Sequence, residues 1–174
     1  ERLRPLADEL LVTTNRPAAY QFLGVRLVAD QMPGRGALGG LYTALSAASQ
    51  PLVAIVACDM PFASRALLQA QVNILCKEDW DAVIPRGADG LEPFHAVYRR
   101  ETCLPPLESA LETGQWRVDS WFHKVRARRF GLDEILRHDP ELLSFHNVNT
   151  PEELARAEQI ARHLAQQGPL SKKP

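Results

Sequence analysis

Leu52-Val-Ala-Ile-Val-Ala57, followed at once by Cys58-Asp59-Met60-Pro61, decides the fold. Six apolar residues, half of them β-branched, read as a strand buried on both faces, the kind found inside parallel sheets. Asp59 lies just past its end, where the chain leaves the sheet. In open α/β sheets ligands collect outside the carboxyl ends of strands. A carboxylate there can hold a hard cation such as Mg²⁺, which favours oxygen ligands and keeps water and substrate phosphates in its shell. Pro61 restricts Met60 to extended backbone and stops the strand running on, which fixes where Asp59 stands. A plainer role also suits this stretch: Asp59 or Ser64 as the N-cap of a helix over Ser64–Leu75.

Outward from this strand the pattern repeats. Glu9–Thr14, Val25–Ala29 and Asp81–Ile84 read as further strands, and Leu38–Ala48 joins Ser64–Leu75 as a helix between strands. Alternating strand and helix predict an α/β fold built on a parallel sheet with right-handed crossovers. Phe94–Arg99 follows too soon after the fourth strand, across Gly87-Ala-Asp-Gly90, for a crossover. It is therefore expected as an antiparallel partner, making the sheet mixed though mostly parallel. Helices at Pro105–Glu112 and Val118–Lys124 and a strand at Arg126–Phe130 follow. Thr150 reads as an N-cap with Pro151 at N1 and Glu153 closing a capping box. The helix it opens should run to about Gln166, with Leu154, Ala157, Ile160, Ala161 and Leu164 on one face. One domain over 1–166 and a disordered tail over 167–174 complete the expected organisation.

With 174 residues, 45% apolar and 24% charged, the chain can build one good core. A net charge of −1 gives no global field to attract nucleic acid or an anionic membrane. No apolar run approaches the roughly 18 residues of a membrane span, and nothing at the start resembles a signal peptide. Cys58, Cys76 and Cys103 show no CxxC spacing and are expected to be reduced, buried thiols of a cytoplasmic protein. The histidines, His95, His123, His138, His146 and His163, lack the spacing of a metal site. The opening Glu1-Arg-Leu-Arg-Pro-Leu-Ala-Asp8 has neither Met nor a preceding strand, and Leu3 and Leu6 read as the last turn of a helix; the expectation is a fragment.

Gly34-Arg-Gly36-Ala-Leu-Gly39 matches GxGxxG, with Asp59 twenty residues beyond Gly39. A dinucleotide fingerprint should start at a strand end, yet Asp30-Gln-Met-Pro33 intervenes. The stretch instead suits a loop that opens a helix, whose amides can meet an anion or a purine edge, or a turn chosen for positive φ and close packing. Asn15, Asp30 and Asp59 each follow a separate expected strand. If those strands share one sheet, the three side chains converge on one rim: an amide and a carboxylate for the edge of a nucleobase, a second carboxylate for Mg²⁺. Each is also a residue that commonly bonds its own backbone in a turn.

Taken in order, Asn15-Arg16, Asp30, Gly36-Ala-Leu-Gly-Gly-Leu41, Cys58-Asp-Met-Pro-Phe62, Glu92-Pro-Phe-His-Ala-Val-Tyr98 and Asn147-Val-Asn-Thr-Pro-Glu-Glu153 resemble the molybdenum cofactor guanylyltransferase family. The resemblance runs from Glu1 to about Gln166. It implies a Rossmann-like nucleotidyltransferase fold and transfer of GMP from GTP to the phosphate of molybdenum-molybdopterin, giving molybdopterin guanine dinucleotide and pyrophosphate. It places Asn15 and Asp30 on guanine-nucleotide contacts, Gly39 and Gly40 beside the base, Asp59 on the catalytic nucleotide and Mg²⁺ contact, and Asn147 and Asn149 on the pterin side. It also implies molybdoenzymes or their chaperones as recipients, and a monomer or weak homo-oligomer. The family opens with a strand and a Leu-Ala-Gly-Gly-type phosphate loop, and none of that precedes Glu1. Such a segment amounts to roughly 30–40 residues. We expect it to be part of the molecule.

In the implied reaction a terminal phosphate attacks the α-phosphorus of GTP. A phosphate monoester has a second pKa of about 6, so the nucleophile is already ionised at neutral pH and needs no strong base. The protein must instead align anions and offset their repulsion. Arg16, Arg35 and the cluster Lys124, Arg126, Arg128 and Arg129 are candidate cations, although charge runs are usually solvated surface. Rival readings are a cytidylyltransferase or sugar-phosphate nucleotidyltransferase on the same scaffold, and a non-catalytic nucleotide- or cofactor-binding module.

Overall fold

The computed structural model describes residues 2–87 and 90–167. Its strands are β1 (Leu11–Thr13), β2 (Arg26–Val28), β3 (Leu52–Val56), β4 (Ala82–Pro85), β5 (His95–Arg99) and β6 (Ala127–Phe130). Its helices are α1 (Pro17–Tyr20), α2 (Gly36–Ala47), α3 (Arg65–Lys77), α4 (Arg100–Glu112), α5 (Leu132–Leu136) and α6 (Pro151–Gln167). Residues 168–174 of the expected tail lie outside the described residues, as do 88 and 89 of the connection before β5; Gln167 closes α6.

The fold is the expected α/β class, a mixed sheet with helices packed on it. β5 is antiparallel and inserts between β3 and β4, giving the order β3-β5-β4-β6 with β4 and β6 parallel. Three of those four strands therefore run one way. β1 and β2 pair in parallel, but as a separate two-stranded sheet. This corrects the expectation that the strands carrying Asn15, Asp30 and Asp59 belong to one sheet. It also corrects the burial expected of β3, which among the described residues pairs with β5 alone. Ile55 is buried, Leu52, Val53 and Val56 are half-buried, and Ala54 is exposed.

Two apolar layers cover the four-stranded sheet. On one face α2 and α4 supply Leu38, Leu41, Leu45, Leu107 and Leu111 against Ile55, Ala82, Ile84, Ala96 and Tyr98. On the other, α3 supplies Leu67, Leu68 and Leu75 against Val83, Val97 and Phe130. Neighbouring positions of β4 thus serve opposite layers, as the alternating pleat dictates. Burying each such side chain is worth about 1.5–3 kcal/mol.

α4 begins at Arg100, five residues before the predicted start, and carries Pro105 and Pro106 inside it. Tertiary bonds hold its first turn: Arg100 N–H donates to Pro51 O, and its guanidinium donates to Leu45 O and Ser46 O at the end of α2. The predicted helix over Val118–Lys124 is only a 3₁₀ turn over Phe122–Lys124, because Trp121 inserts fully into the core and Arg117 pairs with Asp119 beside it. Leu6 closes a short 3₁₀ turn, Arg4–Leu6, and packs with the preceding Leu3 on the α3 layer. On α6 only Ala157 of the predicted apolar face is buried, and Leu154 is half exposed. Cys103 is buried, while Cys58 and Cys76 are exposed, against expectation; all three are free. No helix among the described residues is long and apolar enough to cross a membrane.

Candidate active site

The loops leaving β1 and β2 are bonded to each other. Thr14 N–H donates to Val28 O at 2.8 Å, and one residue on, the side-chain carbonyl of Asn15 accepts the N–H of Asp30 at 3.0 Å. Asp30 Oδ1 in turn accepts from Met32 N–H at 2.9 Å and from the Thr43 hydroxyl at 3.0 Å, and Thr43 Oγ1 accepts from Gln31 N–H. Thr43 lies fully buried on α2. Asn15, Asp30 and the middle of α2 are therefore joined in one hydrogen-bonded unit. Asp30 makes the local turn bond that was the plainer alternative, to Met32 N–H, whereas Asn15 instead bonds across to the other loop.

That unit sets the glycine loop. Gly34 and Gly36 adopt φ of 79° and 57°, a conformation side chains resist. A Cβ on Gly39 would lie 2.9 Å from both Met32 O and Arg35 Cβ, so this glycine is required by close packing of the turn on α2. Gly40 is different: a Cβ there would meet nothing within 4 Å, and its backbone borders open space. Of the two glycines assigned beside the base, Gly40 has room for a ligand and Gly39 serves the scaffold.

Asp59 stands in the turn after β3. Ala57 N–H donates to Phe94 O, the last main-chain link to the β5 side, and the chain then turns through Met60 N–H to Ala57 O. The cap of α3 is Ser64, whose Oγ accepts Leu67 N–H, so Asp59 is free of that duty. Asp59 is half-buried, and its Oδ1 is shut off from solvent with no hydrogen-bond partner. Leaving a buried carboxylate oxygen unpaired costs about 1–3 kcal/mol or more. An oxygen held in that state has the chemistry of a cation ligand. Among the described residues no cluster of three or more His, Cys, Asp or Glu could hold a metal, so Asp59 would act with substrate oxygens rather than within a protein cage.

The C-terminal motif docks on this turn. Val148 N–H donates to Asp59 O at 2.9 Å, which brings the flanking Asn147 and Asn149, both exposed, to the same rim. Glu153 accepts from the N–H groups of Asn149 and Thr150, and these bonds hold its carboxyl below the ordinary range. With Glu153 N–H bonded to Thr150 Oγ1, the capping box forms as expected.

His95 is the residue that sequence reasoning missed. It begins β5 opposite Val56, the last residue of β3, because β5 runs antiparallel. The ring is fully buried, its Nε2 accepts Ser64 N–H at 3.1 Å, and Phe145 packs edge-on against it. Burial pushes its pKa down to about 4. A neutral imidazole thus ties the start of α3 to the sheet beneath Asp59. A lone histidine in Glu92-Pro-Phe-His carried no spacing signal that could have revealed this.

The candidate cations divide. Arg126 binds Asp79 and Asp81; burial raises the Asp81 pKa, but its bonds to Arg126 outweigh that and leave it lowered. Arg128 pairs through both nitrogens with Glu134. Lys124 donates to Ser109. These are scaffold contacts, and they remove Arg126 and Arg128 from the list of phosphate ligands. Arg35, the residue before α2, lies over the Trp116 ring at 5.4 Å, and Arg16 is exposed beside Asn15.

A family model described as the MobA-like NTP transferase domain matches residues 1–128. The chain is 32% identical over 158 residues to a molybdenum cofactor guanylyltransferase of Desulfosudis oleivorans, covering 91% of this chain and 77% of that protein. It is 36% identical over 159 residues to a probable enzyme of the same name from Chloroflexus aggregans, covering 87% and 73%. Among solved structures it superposes on molybdopterin-guanine dinucleotide biosynthesis protein A of Archaeoglobus fulgidus with a TM-score of 0.74 and 26% identity, covering 88% of this chain and 78% of that one. A 2-C-methyl-D-erythritol 4-phosphate cytidylyltransferase of Thermus thermophilus, 19% identical at a TM-score of 0.62 over 92% and 86% of the two chains, shares the fold.

Proposed function

Because the chain belongs to the MobA-like NTP transferase family, we propose that it acts as a molybdenum cofactor guanylyltransferase, moving GMP from GTP to the phosphate of molybdopterin. The observation that carries the site assignment is the unpartnered Oδ1 of Asp59, buried at the end of β3 where Val148 docks.

In this reading an oxygen of the molybdopterin phosphate forms a bond to the α-phosphorus of GTP as the bond to pyrophosphate breaks. The attacking phosphate is ionised at neutral pH, so the protein's task is alignment and charge compensation, not proton removal. Asn15 and Asp30, fixed to each other, present an amide and a carboxylate to the edge of guanine, whose ring N–H and amino groups suit an acidic acceptor. Gly40 lets the base approach the backbone of α2. Asp59 is the residue that would hold Mg²⁺; when bound, the ion supplies positive charge to the phosphates. Asn147 and Asn149 border the acceptor side, positioned by the bond between Val148 and Asp59. The free thiols, two of them exposed, agree with a reducing, cytoplasmic setting in which molybdoenzymes or their chaperones take up the product.

The test is competition between GTP, CTP and UTP in a Mg²⁺-dependent binding assay, coupled to pyrophosphate release in the presence of molybdopterin. Preference for GTP and release dependent on molybdopterin are expected. CTP or UTP competing as well as GTP would return the reading to the wider nucleotidyltransferase class.

A further inference from the structure

Trp116 is 62% exposed, in the loop that follows α4, yet its ring is not loose: the guanidinium of Arg35 lies over it at 5.4 Å. Arg35 is the residue from which α2 starts, and α2 starts where the chain returns from β2 and Asp30. α2 and α4 pack antiparallel. Tyr42 in mid-α2 bonds Glu108 in mid-α4, and Arg100 at the start of α4 bonds the carbonyls of Leu45 and Ser46 near the end of α2. The end of α4 is thereby delivered to the start of α2, which is the rim that carries Asn15, Asp30 and Gly40. An indole at this place, capped on one face by a cation and held by it in a set orientation, leaves most of its surface to solvent. Large aromatic rings are normally mostly buried, and an exposed one leaves that apolar surface available to a ligand. The core in this region is filled by Trp121 a few residues on, and Trp116 is not part of it.

We propose that Trp116, oriented by Arg35, is a stacking platform for the planar 2-amino-4-oxopyrimidine ring system of a substrate. Guanine and pterin share this ring system, and both occur in the reaction proposed above, on which this inference rests. Stacking reads the flat face and is tolerant of ring identity, while Asn15 and Asp30 read the edge. The two contacts together select a fused ring that also carries hydrogen-bonding groups. Trp116 is a positioning residue in this scheme; it holds the ring and takes no part in bond making.

The test is isothermal titration of the full chain, unmodified and as Trp116→Ala and Trp116→Tyr, with GTP in Mg²⁺ and separately with free pterin. Loss of the stack should weaken binding of at least one ring roughly 5- to 150-fold, the range of an aromatic stack on a base. Tyr should restore most of it, and the melting temperature should fall only slightly, because the exposed ring contributes little beyond its contact with Arg35. Loss confined to GTP assigns the platform to the nucleobase, and loss confined to pterin assigns it to the acceptor; either supports the inference. Unchanged affinity of Trp116→Ala for both rings, or equal weakening in the Tyr variant, overturns it. The guanylyl reading fails separately, by CTP matching GTP in competition with the unmodified chain.

Discussion

Val148 N–H donates to the backbone carbonyl of Asp59 at 2.9 Å, so the segment bearing Asn147 and Asn149 is fastened to the main chain of the turn and not to the Asp59 side chain. The Asp59 carboxylate can therefore be altered without releasing that segment.

Asp59→Ala should abolish Mg²⁺-dependent turnover, by at least about 100-fold as for loss of other charge-stabilising groups. Stability should stay level or rise, since a buried oxygen without a partner is removed. Magnesium-dependent pyrophosphate release and thermal melting of the same variant check both halves. A folded variant with undiminished turnover would take Asp59 out of the mechanism.

Asp30→Ala deletes the acceptor of two bonds, from Met32 N–H and the buried Thr43 hydroxyl. The expected cost is about 1–3 kcal/mol of stability, with weaker GTP binding. Denaturant unfolding measures the first effect, and GTP and CTP affinities measured side by side separate base recognition from general loosening. An equal loss for both nucleotides would leave Asp30 as a loop anchor alone.

Two adjacent glycines should part ways. Gly39→Ala drives a Cβ to 2.9 Å from Met32 O and must displace the turn, with a loss of about 1–3 kcal/mol. Gly40→Ala meets open space inside α2, so the helix should gain about 0.5–1 kcal/mol. If the base approaches here, that gain comes with weaker GTP binding. Melting curves with and without GTP distinguish the outcomes; ligand-induced stabilisation intact in Gly40→Ala would move the base elsewhere.

His95 should imprint an acid limit on stability. Burial lowers its folded pKa to about 4, below the unfolded value of about 6.5, so between these pH values the unfolded chain binds the extra proton. The contribution is complete above pH ~6.5 and is lost as pH falls toward 4, by roughly 3 kcal/mol in all. His95→Gln keeps an acceptor for Ser64 N–H and carries no titrating ring, so its stability should fall less over that interval. Unfolding free energies at several pH values supply the comparison; parallel slopes would show that His95 does not govern the acid response.

Periodicity was enough for β3 to β5, α2 and α3, which bury repeating apolar residues, while α6 was legible from its capping box, since only Ala157 of its apolar face is buried. α4 was foreshortened because Pro105 and Pro106 read as a start, while the bonds that begin the helix at Arg100 reach the carbonyls of Leu45, Ser46 and Pro51, far away in sequence. The separation of β1 and β2 from β3 was equally hidden, since strand pairing is not written in strand composition. Asn15, Asp30 and Asp59 were visible as polar residues at strand ends. Their linkage through Asp30 N–H, the division of labour between Gly39 and Gly40, and the neutral His95 all depend on atoms that meet only after folding.

The reversed direction of β5 has one more outcome. A strand that runs against its neighbours delivers its opening residues, not its closing ones, to the mouth, so the chain entering it through Leu91–Phe94 forms part of the threshold. That entrance is braced on both sides: Phe94 O accepts Ala57 N–H, Glu92 N–H donates to Pro85 O, and Pro93 O accepts the hydroxyl of the buried Tyr98. A change of length there by descent or engineering would therefore reach the Asp59 turn through Ala57, and the two must vary together.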